Sequence, residues 1–392
     1  MATPAQRTNT WILDQWYDQS VAGTTGGYNA PGDPPYLYAW GSNSYGLFAN
    51  SGLPVGSGTK RSSPLQLSGT TGFTKLHYSY GYAAFGVKTA GTLYTWGQNG
   101  FYGRLGLNDN ANRSSPTQLP GTNWVKAQGG AYGTLANKSD GTLWAWGYNN
   151  VGQLGDNDGF ASSSPKQIPG AWSTSEYGIG TSGEARFALK SNNTLWAWGK
   201  NNFGGLGLND KTQRSSPTQI PGTTWAAIDM TYSSNEGSAA AVKTDGTAWI
   251  WGWNDSGALG LNQAATTKYS SPVQLPGTTW SRIQISGSDH ILGVKTNGTI
   301  WGWGANWGGN LGLNDAIQRS SPTQVGTDTT WTKAQLATNA SYGMKTDGTL
   351  WGWGQNGGTL AQNNQTKYSS PVQIPGTWTD YGLAGQCVFG IK

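Results

Sequence analysis

The chain has very few of the side chains on which covalent, metal and acid–base chemistry most often depends. Its 392 residues include one cysteine, Cys387, and two histidines, His77 and His290. A single cysteine excludes an intrachain disulfide, and acid–base catalysis needs positioned proton carriers that titrate near the working pH. The Gly-x-Ser-x-Gly, Walker and His-Glu-x-x-His patterns of known catalytic sites are also missing. We therefore expect a protein that is not an enzyme and that holds no cofactor.

Long apolar runs are missing as well. No apolar stretch approaches the roughly 20 residues that a membrane-spanning helix needs. The first residues lack the apolar segment of a secretory signal. We expect a soluble protein that does not insert into a membrane.

Glycine and tryptophan, in contrast, are abundant, at 61 and 22 residues, and they mark an internal repeat. Each unit of about 50 residues contains four short β-prone segments divided by turn residues, which is typical of a β-propeller blade. A Trp-Gly pair marks every unit, with its tryptophan at Trp40, Trp96, Trp146, Trp198, Trp251, Trp303 and Trp353.

Two small motifs flank the Trp-Gly pair and predict local turns. Asp140-Gly141 precedes one copy, and Asp-Gly is the signature of a type I′ hairpin turn, in which both central residues have positive φ. Two residues after each glycine of the pair comes an asparagine, such as Asn149. Asparagine tolerates left-handed geometry and bonds its own backbone, so a shared turn explains this spacing without a ligand.

One copy of the repeat is divided between the two ends of the chain. The last residues, Phe389–Lys392, match Phe85–Lys88, whereas Tyr36–Trp40 match the Trp-Gly strand that follows such a segment in the other units. Pairing these halves would close a ring and leave no free sheet edge at the chain ends. The sequence therefore predicts an all-β fold, a seven-bladed β-propeller of four-stranded blades that spans residues 36–392 and is closed by its N- and C-terminal strands.

Residues 1–35 do not belong to the repeat. We expect Thr8-Asn9-Thr10 to cap a short helix with apolar side chains, and a Gly- and Pro-rich tether follows it in the sequence. Such a segment fits a docking peptide for a protein partner, and it fits equally well a lid that packs under the first blade. As a docking peptide it would bind through Trp11, Leu13, Trp16 and Tyr17.

The basic residues recur at fixed points of the repeat, which weighs against nucleic-acid binding despite a net charge of +5 and a pI of about 9.1. Charges placed by a repeat form rings rather than one patch, so we interpret them mainly as solvation, with weak anion binding as the alternative. One set consists of Lys88, Lys138, Lys190, Lys243, Lys295, Lys345 and Lys392.

The order Trp-Gly-x-Asn, Gly-x-Leu-Gly, Ser-Pro, Trp and Asp-Gly-Thr resembles the repeats of the regulator of chromosome condensation family, best at Trp146–Gly155 and Trp96–Gly106. The resemblance covers residues 36–392 and implies a seven-bladed propeller closed by its termini. The family includes exchange factors for a small GTPase and bacterial protein inhibitors. The wedge and basic tail of the exchange factors do not occur here. The family's Gly-x-x-His element is kept at residues 287–290 and lost in the equivalent stretches near Tyr82, Tyr132 and Ala340, which does not favour exchange activity. Separately, Asn9–Gln19 resembles leader segments of structural proteins from marine bacteriophages.

The residue between Trp-Gly and Asn varies from copy to copy and is where recognition could be encoded. Aromatic anchors dominate protein interfaces. We therefore predict a partner-binding loop face formed by Tyr148, Lys200, Trp253 and the neighbouring Trp307. The Asn/Asp loops that follow offer oxygen atoms to calcium, but Asx turns explain them, and we expect no metal.

The leading hypothesis is a non-enzymatic phage virion protein, a decoration, fibre or adhesin. It would attach to a virion component through residues 8–22 and present its loop face outward, with a host surface protein or a glycan as a further partner. The alternative is an intracellular, cytoplasmic protein-interaction module, such as an exchange factor for a GTPase or an inhibitor of a host protein.

Overall fold

In a computed structural model, which describes residues 35–49, 59–77, 79–230 and 237–392, the chain forms seven four-stranded antiparallel sheets. Three single-turn 3₁₀ helices occur in this part of the chain, at Ser44–Gly46, Gly100–Tyr102 and Asp255–Gly257. The strands are β1 Tyr36–Ser42, β2 Lys60–Thr71, β3 Phe73–His77, β4 Ala83–Lys88, β5 Leu93–Gly97, β6 Arg113–Gln118, β7 Trp124–Gly129, β8 Gly133–Lys138, β9 Leu143–Gly147, β10 Ser162–Ile168, β11 Ile179–Thr181, β12 Ala185–Leu189, β13 Leu195–Gly199, β14 Arg214–Gln219, β15 Trp225–Met230, β16 Ala239–Lys243, β17 Ala248–Trp253, β18 Lys268–Gln274, β19 Trp280–Ile285, β20 His290–Lys295, β21 Ile300–Gly304, β22 Arg319–Gln324, β23 Trp331–Leu336, β24 Ala340–Lys345, β25 Thr349–Gly354, β26 Tyr368–Thr377, β27 Asp380–Ala384 and β28 Cys387–Ile391.

The ring is closed by strands from both ends of the chain, as the divided repeat predicts. Blades 1 to 6 each use four consecutive strands, from β3–β6 to β23–β26, whereas blade 7 has the order β2-β1-β28-β27. Leu37 pairs with Ile391 and Trp40 pairs with Val388. The Tyr36 N–H also donates to the Lys392 carbonyl at 3.0 Å. The predicted seven-bladed, all-β propeller is confirmed.

The hairpin turn before each Trp-Gly strand differs from the predicted type I′ turn. The Gly141 N–H donates to the Lys138 carbonyl at 3.1 Å, and Gly141 has a φ of 80°, whereas Asp140 does not adopt a positive φ. This is a three-residue loop, a type I turn followed by a left-handed residue. Asp140 instead accepts hydrogen bonds from the Thr142 N–H at 3.0 Å and from the Thr142 hydroxyl at 2.7 Å, which fixes the loop from outside.

The Trp-Gly tryptophans join each blade to the one before it. All seven indoles are fully buried, and each Nε1–H donates to a main-chain carbonyl in the loop of the preceding blade. Trp146 donates to Arg104 at 2.7 Å, for example, and Trp40 donates to Thr359 at 2.8 Å across the point of ring closure. The other acceptors are Leu47 for Trp96, Gln153 for Trp198, Gly205 for Trp251, Ala258 for Trp303 and Asn310 for Trp353.

The lysine that ends the second strand of each blade packs over aromatic rings, which corrects its interpretation as a solvating charge. Lys138 Nζ lies 4.6 Å from the Trp124 ring centroid and 4.9 Å from that of Trp144, on the two strands beside it. A cation above the face of an indole is attracted by its quadrupole. The other six lysines repeat the arrangement, at Lys88, Lys190, Lys243, Lys295, Lys345 and Lys392. We call the side of the ring that carries these lysines and the Asp-Gly loops the turn face.

Candidate protein interface and central channel

The opposite side of the ring, the loop face, is formed by the loops between the third and fourth strands of each blade. The asparagine after Trp-Gly organises these loops, but not through left-handed backbone geometry. Asn149 is fully buried and does not have a positive φ. Its Oδ1 accepts the Leu154 N–H at 2.8 Å, while its Nδ2 donates to Asp158 Oδ1 at 2.8 Å. The side chain therefore holds both ends of the loop. Its hydrogen bond also engages Asp158 Oδ1, one of the oxygen atoms that could ligate a calcium ion.

Three of the four predicted loop-face residues are held by their neighbours. The Tyr148 ring lies 4.2 Å from that of Tyr102, measured between centroids. Lys200 Nζ lies 2.5 Å from Glu184 Oε2. Trp253 has the Lys268 ammonium 4.5 Å from its ring centroid. The structure thus places these side chains on one face but in separate blades, each already in a local interaction.

Trp307 is different, because 74% of its surface is exposed. Together with Phe160 at 78%, Ile317 at 64% and Tyr45 at 37%, it makes up the exposed large hydrophobic residues of the described chain. All four lie in third-to-fourth-strand loops, hence on the loop face. Among the described residues, the large exposed apolar side chains therefore lie on one side of the ring, in blades 2, 5 and 7.

Phe160 and Ile317 were missed by the sequence analysis, although a signal for them exists. Each follows an aspartate by two residues, and its N–H donates to that carboxylate at 2.9 Å, in an Asx turn. The Asx turn fixes the backbone and leaves the side chain free to vary. The same position carries a small or polar side chain at Ala111 and Thr212.

The central channel is a second feature that the sequence analysis did not find. The first strand of each blade is innermost, and in most blades side chains two and four residues after the aromatic residue at its start line the channel. In blade 3, Glu176 and Tyr177 precede β11. In the sequence, these positions could have been recognised by a polar residue in an otherwise apolar strand. A register shift after the aromatic residue, as between Trp124 and Lys126, turns these side chains inward. The channel is lined by Lys75, His77, Lys126, Gln128, Glu176, Tyr177, Asp229, Arg282, Gln284, Lys333, Gln335 and Asp380.

The two histidines do not form a common site. His290 is fully buried in blade 5, and its Nδ1 lies 2.6 Å from the Ser286 hydroxyl, so it is a hydrogen-bonded blade residue. Burial lowers its pKa to about 3. His77 lies in the channel, where burial and three neighbouring lysines lower its pKa well below its usual value. Across the described residues, no three His, Cys, Asp or Glu side chains lie close enough together to hold a metal ion.

The repeats can now be compared with known proteins. Residues 90–136, 140–174, 192–230 and 245–292 match the model of the Regulator of chromosome condensation (RCC1) repeat. The chain carries RCC1 repeats. The residues matched to the model lie in blades 1 to 5, and the remaining blades repeat the same architecture.

Two curated relatives share these repeats over part of their length. E3 ubiquitin-protein ligase HERC2 of Homo sapiens is 25% identical over 219 residues, which are 54% of this chain and 4% of that protein. Ultraviolet-B receptor UVR8 of Arabidopsis thaliana is 26% identical over 257 residues, which are 64% of this chain and 56% of that protein. The RCC1-repeat chain therefore spans only part of each relative, a small part in the case of HERC2.

The fold is that of solved RCC1 propellers. Prp20p from Saccharomyces cerevisiae, a structure described together with its binding to Gsp1p and histones, superimposes with a TM-score of 0.76 at 16% identity. The match covers 97% of this chain and 95% of that one, and at this identity it concerns the fold. No helix among the described residues has the length and apolar character required to span a bilayer.

Proposed function

We propose that this RCC1-repeat propeller is an intracellular protein-interaction module whose partner binds the loop face. The observation that carries the proposal is the location of the exposed apolar residues. Tyr45, Phe160, Trp307 and Ile317 all project from loops on that face, whose backbone is fixed by buried asparagines. Interface energy is concentrated in a few large apolar anchors, and anchors on a rigid backbone lose little entropy on binding.

The held residues of the loop face fit the role of a rim around these anchors. Tyr148 and Trp253 are partly exposed, and each is fixed in place by an aromatic or cationic neighbour. Lys200 and Glu184, which follow β13 and β11 respectively, present a charged pair within blade 3. Preorganised side chains of this kind add specificity to an interface at small entropic cost.

The comparisons favour this module over the virion protein that the amino-terminal segment suggested. The similar chains are parts of cellular proteins, a ubiquitin ligase and a light receptor, and Prp20p binds Gsp1p and histones. The proposed docking residues Trp11, Leu13, Trp16 and Tyr17 lie outside the described residues, so their role stays a prediction. Catalytic inactivity also stays a prediction.

The proposal is tested by purifying the tagged full-length chain from the cells that encode it. We expect one protein at near-stoichiometric yield by quantitative mass spectrometry. Trp307→Ser should reduce that yield about thirtyfold, the loss expected from removing a hot-spot side chain worth about 2 kcal/mol. Thr122→Ser, an exposed change on the turn face, is the matched control. Equal recovery with wild type and Trp307→Ser would overturn the proposal, and the identity of the partner decides between a GTPase and another protein.

A further inference from the structure

The central channel contains charges that no described residue pairs in a salt bridge. Four cations and three carboxylates face it, and two cation–carboxylate pairs are salt bridges. Lys333 Nζ lies 2.5 Å from Asp380 Oδ1, and Lys75 Nζ lies 3.5 Å from Glu176 Oε2. Lys126 and Arg282 have no salt bridge to any described carboxylate. Lys126 donates instead to the Glu176 carbonyl, and Arg282 Nη1 donates to the Tyr177 hydroxyl at 3.1 Å.

These two cations line the same small cavity. It has a volume of about 40 Å³, and the glutamine side chains of the inner strands complete its wall. Three buried polar atoms in its lining have no hydrogen-bond partner among the residues that the structure describes, namely Arg282 Nε, His77 Nε2 and Gln335 Oε1. Their residues are 5%, 7% and 5% exposed. Arginine has donors only, so the unpartnered Arg282 Nε–H requires an acceptor.

Asp229 lines the cavity but does not supply the missing negative charge. Its Oδ2 accepts the Ile285 N–H at 3.2 Å. Burial raises the pKa of this carboxyl to about 7, so a large share of molecules hold it protonated at neutral pH. Burial also lowers the pKa of Lys126, to about 8, so this ammonium keeps most of its charge at neutral pH. The cavity therefore has more cationic than anionic charge, and the Arg282 Nε–H is a donor that lacks an acceptor among the described residues.

We propose that the channel binds a chloride-sized monovalent anion between the Lys126 ammonium and the Arg282 guanidinium. One water molecule needs about 10–15 Å³ of such space, so the cavity holds about three waters or one small anion and excludes a nucleotide or a sugar phosphate. The anion accepts hydrogen bonds from Lys126 Nζ and Arg282 Nε. The glutamine amides supply further donors.

The ion has one evident route to this site. Near the loop face, the Tyr80 side chain extends across the channel. Its hydroxyl lies 2.6 Å from the carbonyl oxygens of both Met230 and Ile285. On the turn-face side, the side chains of Lys75 and Glu176 are 51% and 39% exposed. The anion would enter from the turn face, so the site is separate from the proposed protein interface.

The test uses bromide as a heavy-atom probe for chloride in crystals of the full-length chain. We expect an anomalous peak within hydrogen-bond distance of Lys126 Nζ and Arg282 Nε. Lys126→Met should abolish it, whereas Lys75→Met, at the same position of the neighbouring blade, should keep it. A wild-type channel that holds water alone, or a peak unchanged by Lys126→Met, which would mean an adventitious ion only, overturns the proposal.

A second measurement needs no variant and stands if Lys126→Met fails to fold. The melting temperature of the wild-type protein is compared in sodium chloride and in sodium gluconate at equal ionic strength, because gluconate is too large for the cavity. With chloride tenfold above its dissociation constant, the melting temperature should be higher by about 2 °C. Identical melting temperatures over the whole salt range contradict the site.

Discussion

The seam between blades is built in the same way seven times, whereas the loop face and the central channel differ from blade to blade. At the seam, every Trp-Gly indole donates to a carbonyl of the preceding blade. Within each blade, a lysine lies over two aromatic rings. On the loop face, the exposed side chains belong to some blades and not to others. Repetition marks what the ring needs in order to close, and variation marks where a partner or ligand can be distinguished.

Removing residues 388–392 opens the ring within blade 7, where the two ends of the chain pair, and should have the largest effect. The deletion takes away most of β28, which pairs with both β1 and β27. Val388, Phe389 and Ile391 are buried, and each such side chain contributes about 1.5–3 kcal/mol. We expect the loss to exceed about 5 kcal/mol, enough to unfold a marginally stable ring. An unchanged melting curve by circular dichroism would contradict closure by the terminal strands.

A single seam tryptophan should come next. Trp146→Ala removes a fully buried indole and its hydrogen bond to Arg104, and should lower the free energy of unfolding by about 3–5 kcal/mol in urea titrations. Trp144→Ala is the matched control, because it removes the same side chain from the same strand at a partly exposed position. If Trp144→Ala lowers the free energy of unfolding as much as Trp146→Ala or more, the contact between blades is not the main source of the stabilisation by Trp146.

The stability of the protein should depend on pH because of the Asp229 carboxyl in the channel. The folded pKa of Asp229, about 7, is above the value of 3.8 in a model compound, so folding favours its protonated form. Its contribution to stability is therefore complete below about pH 4 and is lost as the pH rises through 7, by an amount on the order of a few kcal/mol. Subtracting the Asp229→Asn curve from the wild-type curve should reveal this slope. The Asp140→Asn control, on the turn face, should not remove it.

Lys138→Met, which alters packing within a single blade, should have the smallest effect. It keeps the aliphatic stem and removes the ammonium that lies over Trp124 and Trp144. We expect a loss of about 1 kcal/mol, the scale of a partly exposed cation–π interaction, measured by urea unfolding. Lys166→Met, which removes a salt bridge to Asp156 instead, is the comparison. Full stability of Lys138→Met would mean that these lysines act as solvating charges after all.

The repeated parts of this structure were predictable from sequence, and the parts that break the repeat were not. The divided copy at Tyr36–Trp40 and Phe389–Lys392 was enough to predict ring closure. The other six copies contain the hairpin intact, so the two terminal segments could be recognised as its halves. The channel was missed because a register shift after residues such as Trp124 decides which side chains point inward. The Asp140-Gly141 turn was assigned wrongly because the same dipeptide fits two hairpin types, and the side-chain bonds of Thr142 select between them.

The central claim is that recognition takes place on the loop face, where the copies differ. Its most direct test places a photo-cross-linking amino acid in the full-length chain in its own cells, at position 307 or 160, and at position 122 on the turn face as the control. We expect one cross-linked protein, the same from positions 307 and 160, and none from position 122. Cross-links to that protein from position 122, with none from 307 and 160, would contradict it.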